Sequence, residues 1–487
     1  MWLRAGVLAF AFGVALCAPL GAAAATVRVT GDAALTAALA LALPGDVIQM
    51  APGASVAGMN ITGSTRLVIT GLSVAPAGVT AYINVASSNG VTFSNLHLDG
   101  GAGGAGVAIW LTPDALGVVI KDSTFLHCAS PMCIRASSPD VLIEHNVFDE
   151  LDDSDAVHGF GGGVIRYNRM DHALPAGDGN HNDFIQIGNG GPWTIDGNWF
   201  GVRTGGAASI WVDSIDNGVI HDVLIQNNVL TGHYVGQDVG IFVAGDDRQV
   251  ALLPTNVRVL NNTVTSGLLN SLRFGANYAT IPVDQRPLVA NNVGDRLRGM
   301  CDRIRSEDNV FADGEACSAS DAIGNAALDA SGAPTAASAL LLGRADPLVA
   351  PPTDYFGCPR AGVPDIGAIE LGACPAVTAP APPLVEHAGG TSKPSRLRAR
   401  ARILSLRSRR LAHRVEVFVR CSNATRLVAS VLVHGRVVAS TSQGGSLRRG
   451  ATFKLRAPRT GRIEVRIRAV GAGGAVARTI SVKALSR

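Results

Sequence analysis

An asparagine-centred repeat is the feature that most constrains how this chain can fold. The pattern apolar-x-apolar-x-x-Asn-x-apolar recurs as VLIEHNVF (141–148), WTIDGNWF (193–200), VLIQNNVL (223–230) and VRVLNNTV (257–264). With weaker copies included, its polar slot falls at Leu96, Ser123, Asn146, Asn168, Asn198, Asn228, Asn262, Asn292 and Asn309. These slots are 22 to 34 residues apart, except for a final interval of 17. Self-similarity at such a period indicates a stacked-repeat architecture.

Each copy of the repeat predicts a β-strand that leads into a turn. Period-2 alternation directs one set of apolar residues inward, namely Ile143, Ile195, Ile225 and Val259. We expect the Asn to occupy the turn, since Asn tolerates left-handed backbone, and to bond to its counterparts in a ladder. Antiparallel hairpins would need turn signals every 8–12 residues, which the repeats lack. The final interval is too short for a full coil and sets Asn309 apart.

These repeats resemble the right-handed parallel β-helix, or pectate-lyase-like, superfamily of exported bacterial proteins, over about residues 27–372. The start, residues 32–53, is similar to the family's N-terminal portion: a short helix, Pro-Gly-Asp and the first strand. Such a helix would cover the apolar end of the coil. The PDIGAIE stretch (364–370) is similar to a tail of many such proteins. The fold hosts lyases, hydrolases, epimerases and inert adhesins, so it does not select a reaction.

Charge and composition divide the chain into four segments. A basic start, an apolar run and Ala23-Ala24-Ala25 predict a signal peptide over 1–25, and hence a secreted or cell-surface protein. We expect the β-helix over 26–374 and a Pro/Ala/Gly-rich linker over 375–397. Residues 398–487 alternate like a small immunoglobulin-like β-sandwich, so the expected fold class is all-β. Residues 391–487 hold 23 Lys/Arg and two acids, whereas residues 1–390 hold 18 Lys/Arg and 36 acids.

Seven cysteines remain after the predicted signal peptide is removed. Proximity in sequence suggests the pairs Cys128–Cys133, Cys301–Cys317 and Cys358–Cys374, which leaves Cys421 alone. The alternative is that these cysteines are buried free thiols.

A second strand follows each Asn strand and can be aligned by its inward residue. The inward residues would be Ile109, Ile134, Val157, Ile185, Ile210, Ile241 and Leu272. Their C-terminal neighbours should then form one solvent-facing column: Trp110, Arg135, His158, Gln186, Trp211, Phe242 and Arg273. Aromatic faces stack on sugar rings and Arg forks match carboxylates or sulfates, so a groove for a polysaccharide is predicted. The alternative is an ordinary exposed face.

Acidic and histidine residues concentrate on the middle coils of this column. The candidate catalytic residues are Asp155, His158, His181 and Asp183, and Asp213 joins the candidate substrate-binding residues. Two close carboxylates can share a proton, flank a glycosidic bond or hold calcium, so Asp155 and Asp183 are also candidate metal ligands. Strand parity would direct both inward, so we expect the strands to start after them. Alternatively, they cap turns and His181 binds a backbone carbonyl.

Comparison with family motifs does not identify a reaction. The Arg-x-Lys element of polygalacturonase-like hydrolases is absent from the predicted coil, as is the Tyr-Gly-Phe-Asp-Pro-His element of mannuronan epimerases. Our leading hypothesis is that the protein binds a polysaccharide and cleaves it as a lyase or a hydrolase. Acidic polysaccharides are among the candidate substrates. The alternative is a non-catalytic adhesin or envelope protein. The basic C-terminal segment suggests that this segment binds an anionic cell-wall polymer. Neither nucleic acid binding nor a membrane span after signal cleavage is expected.

Overall fold

The computed structural model describes two compact units, a long β-helical unit and a C-terminal unit of seven strands. The described residues of the first unit are 24–51, 55–71, 73–74, 81–99, 107–128, 132–151, 154–173, 183–204, 208–214, 218–231, 234–235, 239–245, 248–265 and 270–372. The C-terminal strands are described by their backbone alone. The predicted linker and residues 1–23 of the predicted signal peptide lie outside these ranges.

Three long parallel sheets form the first unit, a right-handed parallel β-helix. Sheet A has twelve strands: Thr26–Val29, Val47–Met50, Val68–Thr70, Thr92–Ser94, Val119–Lys121, Val141–Glu144, Gly163–Arg166, Trp193–Asp196, His221–Gln226, Thr255–Leu260, Leu288–Ala290 and Arg305–Glu307. Sheet B also has twelve: Ser55–Val56, Ser73–Val74, His97–Asp99, Thr124–Leu126, Val147–Asp149, Arg169–Met170, Trp199–Phe200, Val229–Leu230, Thr263–Val264, Val293–Leu297, Val310–Gly314 and Ala322–Ile323. Each full coil contributes one strand to each sheet in the order A, B, C.

Sheet C carries the strands that follow the Asn strands in the sequence prediction. Its nine strands are Met59–Thr62, Ala81–Ala86, Val107–Leu111, Met132–Ala136, Asp155–Gly159, Ile185–Ile187, Ile210–Val212, Val239–Val243 and Asn270–Phe274. A small parallel pair, Arg203–Thr204 and Tyr234–Val235, lies apart from the three sheets. The helical elements are an α-helix, Asp32–Leu41, and the 3₁₀ turns Val250–Leu252, Ala276–Thr280 and Val283–Gln285. No described helix is long and apolar enough to cross a membrane.

The α-helix packs on the first coil, as its sequence predicts. Leu35 and Ala38 are buried in the same core cluster as the inward residues of the coils. That core continues along the axis, and Phe125 stacks on Phe148 of the next coil at 4.7 Å between ring centroids. The helix therefore covers apolar surface that the first coil would otherwise expose.

The predicted asparagine ladder is present and fully buried. From Asn146 to Asn292, each amide Nδ2 donates to Oδ1 of the next slot residue at 2.9 or 3.0 Å, and Asn309 is the last acceptor. Each slot Asn is at most 1% exposed. Asn309 continues the ladder although its interval is short, because the chain pairs in sheets A and B there while sheet C has already ended at Asn270–Phe274.

The expectation that the slot Asn itself takes the left-handed conformation is wrong. The residue before it does so, as at His145 (φ 56°), Tyr167 (φ 54°) and Asn227 (φ 53°). The chain turns one residue early, so that the Asn can direct its amide inward. Asn168 Nδ2, for example, donates to the Ile143 carbonyl at 2.9 Å.

Two of the predicted disulfides are present, Cys128–Cys133 and Cys301–Cys317. Cys358 is also disulfide-bonded. Its predicted partner, Cys374, lies outside the described residues, and the side chain of Cys421 is not among those described.

The C-terminal unit consists of two antiparallel sheets. One has three strands, in the order Arg402–Leu411, Arg414–Ser422 and Ala451–Arg456. The other has four, in the order Arg436–Gly444, Arg426–Val433, Ile463–Gly471 and Gly474–Val482. Strand 436–444 was not predicted from the sequence. The immunoglobulin-like assignment of this unit stays a prediction.

Candidate functional site

Sheet C aligns the predicted column in the register that the sequence indicates. Successive inward residues are backbone partners from Ile109 to Leu272. Their neighbours pair in the same way, so one column, here called the lateral column, contains Trp110, Arg135, His158, Gln186, Trp211, Phe242 and Arg273. Parallel strands are about 4.8 Å apart. His158 and Gln186, 28 residues apart in sequence, are therefore direct neighbours.

The expectation that the whole lateral column faces solvent is wrong in its middle. Trp110 is 41% exposed, but His158 and Gln186 are each 7% exposed and Phe242 is 6% exposed. Aromatic neighbours account for part of this burial. The ring of Phe160 stacks on His158 at 4.4 Å, and Trp211 stacks on Phe242 at 4.2 Å.

Asp155 and His158 form a buried pair at the centre of the lateral column. His158 Nδ1 lies 3.2 Å from Asp155 Oδ2, a contact whose angle is poor for a hydrogen bond. His158 Nε2 is also buried and has no hydrogen-bond partner among the described residues. An unpaired buried ring nitrogen is costly, which makes it a candidate contact for a ligand or a proton.

Asp155 and Asp183 lie on neighbouring coils, as predicted, and both carboxylates bind backbone. Asp155 Oδ1 accepts the Asp183 N–H at 2.8 Å, and Asp183 Oδ1 accepts the Ala208 N–H at 2.7 Å. Burial raises the pKa of Asp155, contact with His158 lowers it, and the charge of Asp183 raises it further, with a net rise. This geometry agrees with the turn-capping alternative, since one oxygen of each carboxylate is held by the main chain.

We expected the sheet C strands to begin after Asp155 and after Asp183, and this is correct only for Asp183. Asp155 is the first residue of its strand and is 4% exposed, so the prediction that this strand begins after it is wrong. Its buried carboxylate is tolerated because a backbone N–H and His158 are beside it. The strand after Asp183 does begin later, at Ile185.

One end of the lateral column carries a cation held between aromatic rings. The Arg135 guanidinium carbon lies 4.5 Å from the ring centroid of Phe160 and 5.4 Å from that of Trp110. Arg135 Nε is buried without a hydrogen-bond partner among the described residues. Phe160 was not among the sequence-predicted site residues. It follows the strand in the turn, where strand parity no longer fixes the direction of a side chain.

The other end of the lateral column is aromatic and basic. Arg273 lies over Phe242, with its guanidinium carbon 5.5 Å from the ring centroid. Asp213, 4% exposed, accepts a hydrogen bond from Arg248 Nε at 2.7 Å. To bind substrate as predicted, Asp213 would have to share its carboxylate with Arg248 or give up this ion pair.

His181 lies outside the described residues. Calcium binding by Asp155 and Asp183 stays a prediction. Among the residues that the structure describes, no three His, Cys, Asp or Glu side chains converge as a metal site would require.

Comparison with known proteins finds similarity in fold alone. No family profile and no curated protein matches the sequence. Among solved structures, an alginate lyase from Paenibacillus sp. str. FPU-7 is 13% identical, with 62% of this chain and 98% of that chain covered and a TM-score of 0.30. The PL6 family alginate lyase AlyGC is 13% identical, with 58% and 52% covered and a TM-score of 0.29. Dettilon tailspike protein (gp208) is 13% identical, with 89% and 76% covered and a TM-score of 0.28.

Proposed function

We propose that the β-helix binds an acidic polysaccharide along the lateral column. The observation that carries this proposal is the exposed ring of Trp110, with Arg135 placed between it and Phe160. An aromatic face provides a stacking surface for a sugar ring, and a guanidinium forms paired hydrogen bonds to a carboxylate. Because the coils repeat at about 4.8 Å, a linear polymer can extend along the same face. Secretion, or attachment to the cell surface, belongs to the same proposal.

The binding test compares the full chain with two variants, Trp110→Ala and Arg135→Ala. We expect each to weaken binding of an oligouronate by at least tenfold in isothermal titration, with and without calcium. The matched control is Arg169→Ala, because Arg169 also lies over an aromatic ring, that of Trp199 at 3.9 Å, but in sheet B rather than in the sheet that carries the lateral column. Unchanged affinity in both lateral variants would contradict the proposal. If the wild type binds more weakly without calcium and Asp155→Asn and Asp183→Asn lose this calcium dependence, the metal role of these two carboxylates is supported.

Cleavage by β-elimination is the reaction that the described residues fit best. In this proposal Arg135 neutralises the uronate carboxylate and His158 Nε2 takes the proton from the carbon beside that carboxylate. The electron pair forms a carbon–carbon double bond, the glycosidic C–O bond breaks, and the departing oxygen takes a proton from water. His158 Nε2 is buried, so a sugar ring must displace part of its surroundings to reach it, and in this proposal the part displaced is Phe160, which stacks on His158.

The cleavage proposal is tested by the absorbance of an unsaturated uronate at the new chain end. We expect the wild type to produce this absorbance, His158→Asn to lose at least a thousandfold in kcat, and Phe160→Ala to change KM more than kcat. New reducing ends without this absorbance would indicate a hydrolase and contradict elimination.

A non-catalytic adhesin or envelope protein is the second candidate, and one observation favours it. Both carboxylates of the predicted acid pair hold backbone N–H groups, and both ring nitrogens of His158 are buried. Glycan binding without any product, in wild type and His158→Asn alike, would support this candidate. For the C-terminal unit we propose an anionic cell-wall polymer as the partner, because of its excess of cations.

A further inference from the structure

The three-stranded sheet of the C-terminal unit brings residues from distant parts of the sequence into register. Strand Arg402–Leu411 pairs antiparallel with Arg414–Ser422, which pairs antiparallel with Ala451–Arg456. Residues directly opposite each other in such a ladder share a face of the sheet. Arg409, Glu416 and Lys454 are opposite one another, and so are Arg407, Phe418 and Thr452.

This register places most of the cations on one face of the sheet and most of the apolar residues on the other. One face, here called the basic face, takes seven cationic positions and one acidic position, Glu416. Its cations are Arg402, Arg407, Arg409, Arg414, Arg420, Lys454 and Arg456. The opposite face takes one cation, Arg410, among apolar positions that include Leu406, Val415, Val417, Val419, Phe453 and Leu455. Strand alternation therefore concentrates charge on one side of this sheet.

We infer that the basic face binds a linear acidic glycan that carries carboxylate or phosphodiester groups. Positions on one face of a strand repeat at about 6.6 Å, and neighbouring strands are about 4.8 Å apart, so the cationic positions form a two-dimensional array. Like charges at this density repel one another, and a polyanion relieves that repulsion. Guanidinium groups pair with carboxylate and phosphate oxygens through two hydrogen bonds.

An acidic glycan fits this face better than a single-stranded nucleic acid does. Nucleic-acid surfaces interleave cations with aromatic rings on which bases stack. Phe418 is the one aromatic residue that the register places on the basic face of the described strands. The inference rests on the wall-polymer partner proposed for the C-terminal unit and names the surface that would bind it.

The experiment uses the full chain in an Arg135→Ala background, which removes the proposed contact of the lateral column. Its probes are a phosphomannan, which is a glycan with phosphodiester groups, and polygalacturonate, each titrated at several salt concentrations. The test variant is Arg407→Gln/Arg409→Gln/Lys454→Gln. The matched control is Arg426→Gln/Arg466→Gln/Arg468→Gln, which removes the same charge from one face of the four-stranded sheet.

We expect the test variant to bind at least one of the two glycans at least tenfold more weakly. The slope of log K against log salt should fall by about 2 to 3, roughly one per cation removed. The control should lose less than threefold. The single variant Lys454→Gln, with a slope change of about 1, replaces the triple variant if that variant does not fold by circular dichroism.

Three results overturn parts of the proposal and can be told apart. If the parent chain binds neither glycan, the partner proposed for the C-terminal unit is wrong. If the parent binds but the test and control variants lose affinity equally, the basic face is wrong. If duplex DNA at the same salt binds more tightly than both glycans and its binding is lost in the test variant, the class of polymer is wrong.

Discussion

The ring of His127 lies between two carboxylates from neighbouring coils of sheet B. His127 Nδ1 is 2.8 Å from Asp99 Oδ1, and Nε2 is 2.5 Å from Glu150 Oε2. The hydrogen bond to Asp99 is the largest cause that raises the pKa of His127, to about 9. The three side chains are 38% to 56% exposed, so water and salt weaken the interaction.

This contact predicts a stability that depends on pH in the alkaline range. Because the folded pKa is raised from about 6.5 to about 9, the contribution to the free energy of unfolding is fully present below pH 6.5. It is lost as the pH rises through about 9. Urea unfolding at pH 6, 7.5 and 9.5 measures it, and His127→Gln should remove this part of the pH dependence. The same dependence in wild type and His127→Gln would contradict the assignment.

At the residue scale, strand parity predicted positions better than roles. The pairing of His158 with Gln186 was predicted by aligning the inward residues of successive strands, Val157 and Ile185, and taking the next position along each strand. Binding of backbone by Asp155 and Asp183 was predicted only as the turn-capping alternative. Its donors, the Asp183 and Ala208 N–H groups, could not be named from the sequence, because they depend on how neighbouring coils stack around a turn. The contact of Phe160 with His158 belongs to the same turn and was missed for the same reason.

At the element scale, the asparagine ladder is the device that joins one coil to the next. Asn198 Nδ2 donates to the Ile165 carbonyl and to Asn228 Oδ1. Its Oδ1 accepts both the backbone N–H and the side-chain Nδ2 of Asn168. All of these groups are buried. If the Asn198 side chain is removed, its former partners cannot form replacement hydrogen bonds with water.

Asn198→Ala is expected to lower the free energy of unfolding by about 3 kcal/mol, because buried donors and acceptors of neighbouring coils lose their partners. The measurement is urea unfolding followed by circular dichroism. The matched control is Asn60→Ala, which changes an exposed Asn in a sheet C strand and should cost less than about 1 kcal/mol. Equal costs for the two variants would mean that the ladder does not stabilise the stack.

The Asn spacing predicted the sheet A strands and the stacking of the coils, and alignment of the inward residues predicted the sheet C strands, whereas the separate sheet B strand after each slot was not predicted. The slot residue and its flanking apolar positions recur because each coil repeats the same local environment. The shift of the left-handed residue to the position before the slot was not predicted. His145, Tyr167 and Asn227 share that backbone conformation without sharing a side-chain type, so composition gave no signal.

At the scale of the whole molecule, the PDIGAIE stretch belongs to a closing segment, residues 346–370, that runs back across several coils. Asn227 Nδ2 donates to the Thr353 carbonyl, and Asn291 Nδ2 donates to the Asp346 carbonyl. Arg360 binds both Glu370 and Asn227 Oδ1, and its side chain is 1% exposed. The contacts that Asn227 and Asn291 make with this segment join residues more than 50 positions apart, which no local sequence pattern reports.

Arg360→Met is expected to destabilise the β-helix by about 3 to 5 kcal/mol, since Glu370 and several carbonyls lose a buried partner. Thermal and urea unfolding of the full chain measure the loss. Arg344→Met is the matched control, because Arg344 is exposed, and it should cost less than about 1 kcal/mol. A similar midpoint in wild type and Arg360→Met would contradict a locking role for the closing segment.

The basic face shows most clearly where sequence reasoning stops. Alternation within a single strand is enough to place charges on one side of it, as with Glu464, Arg466 and Arg468. Combining Arg407, Arg420 and Lys454 required the register between three strands, and that register depends on turns and on a bulge near Ile403. The net charge was visible in the sequence, but its concentration on one sheet was not.

The most direct test of the lateral column is a crystal structure of the full chain with a bound acidic oligosaccharide. We predict that one sugar ring stacks on Trp110 and that its carboxylate lies within hydrogen-bond distance of Arg135. The neighbouring sugars should follow the coils toward His158 and Gln186. An oligosaccharide bound to sheet A or sheet B, with the lateral column unoccupied, would contradict the account.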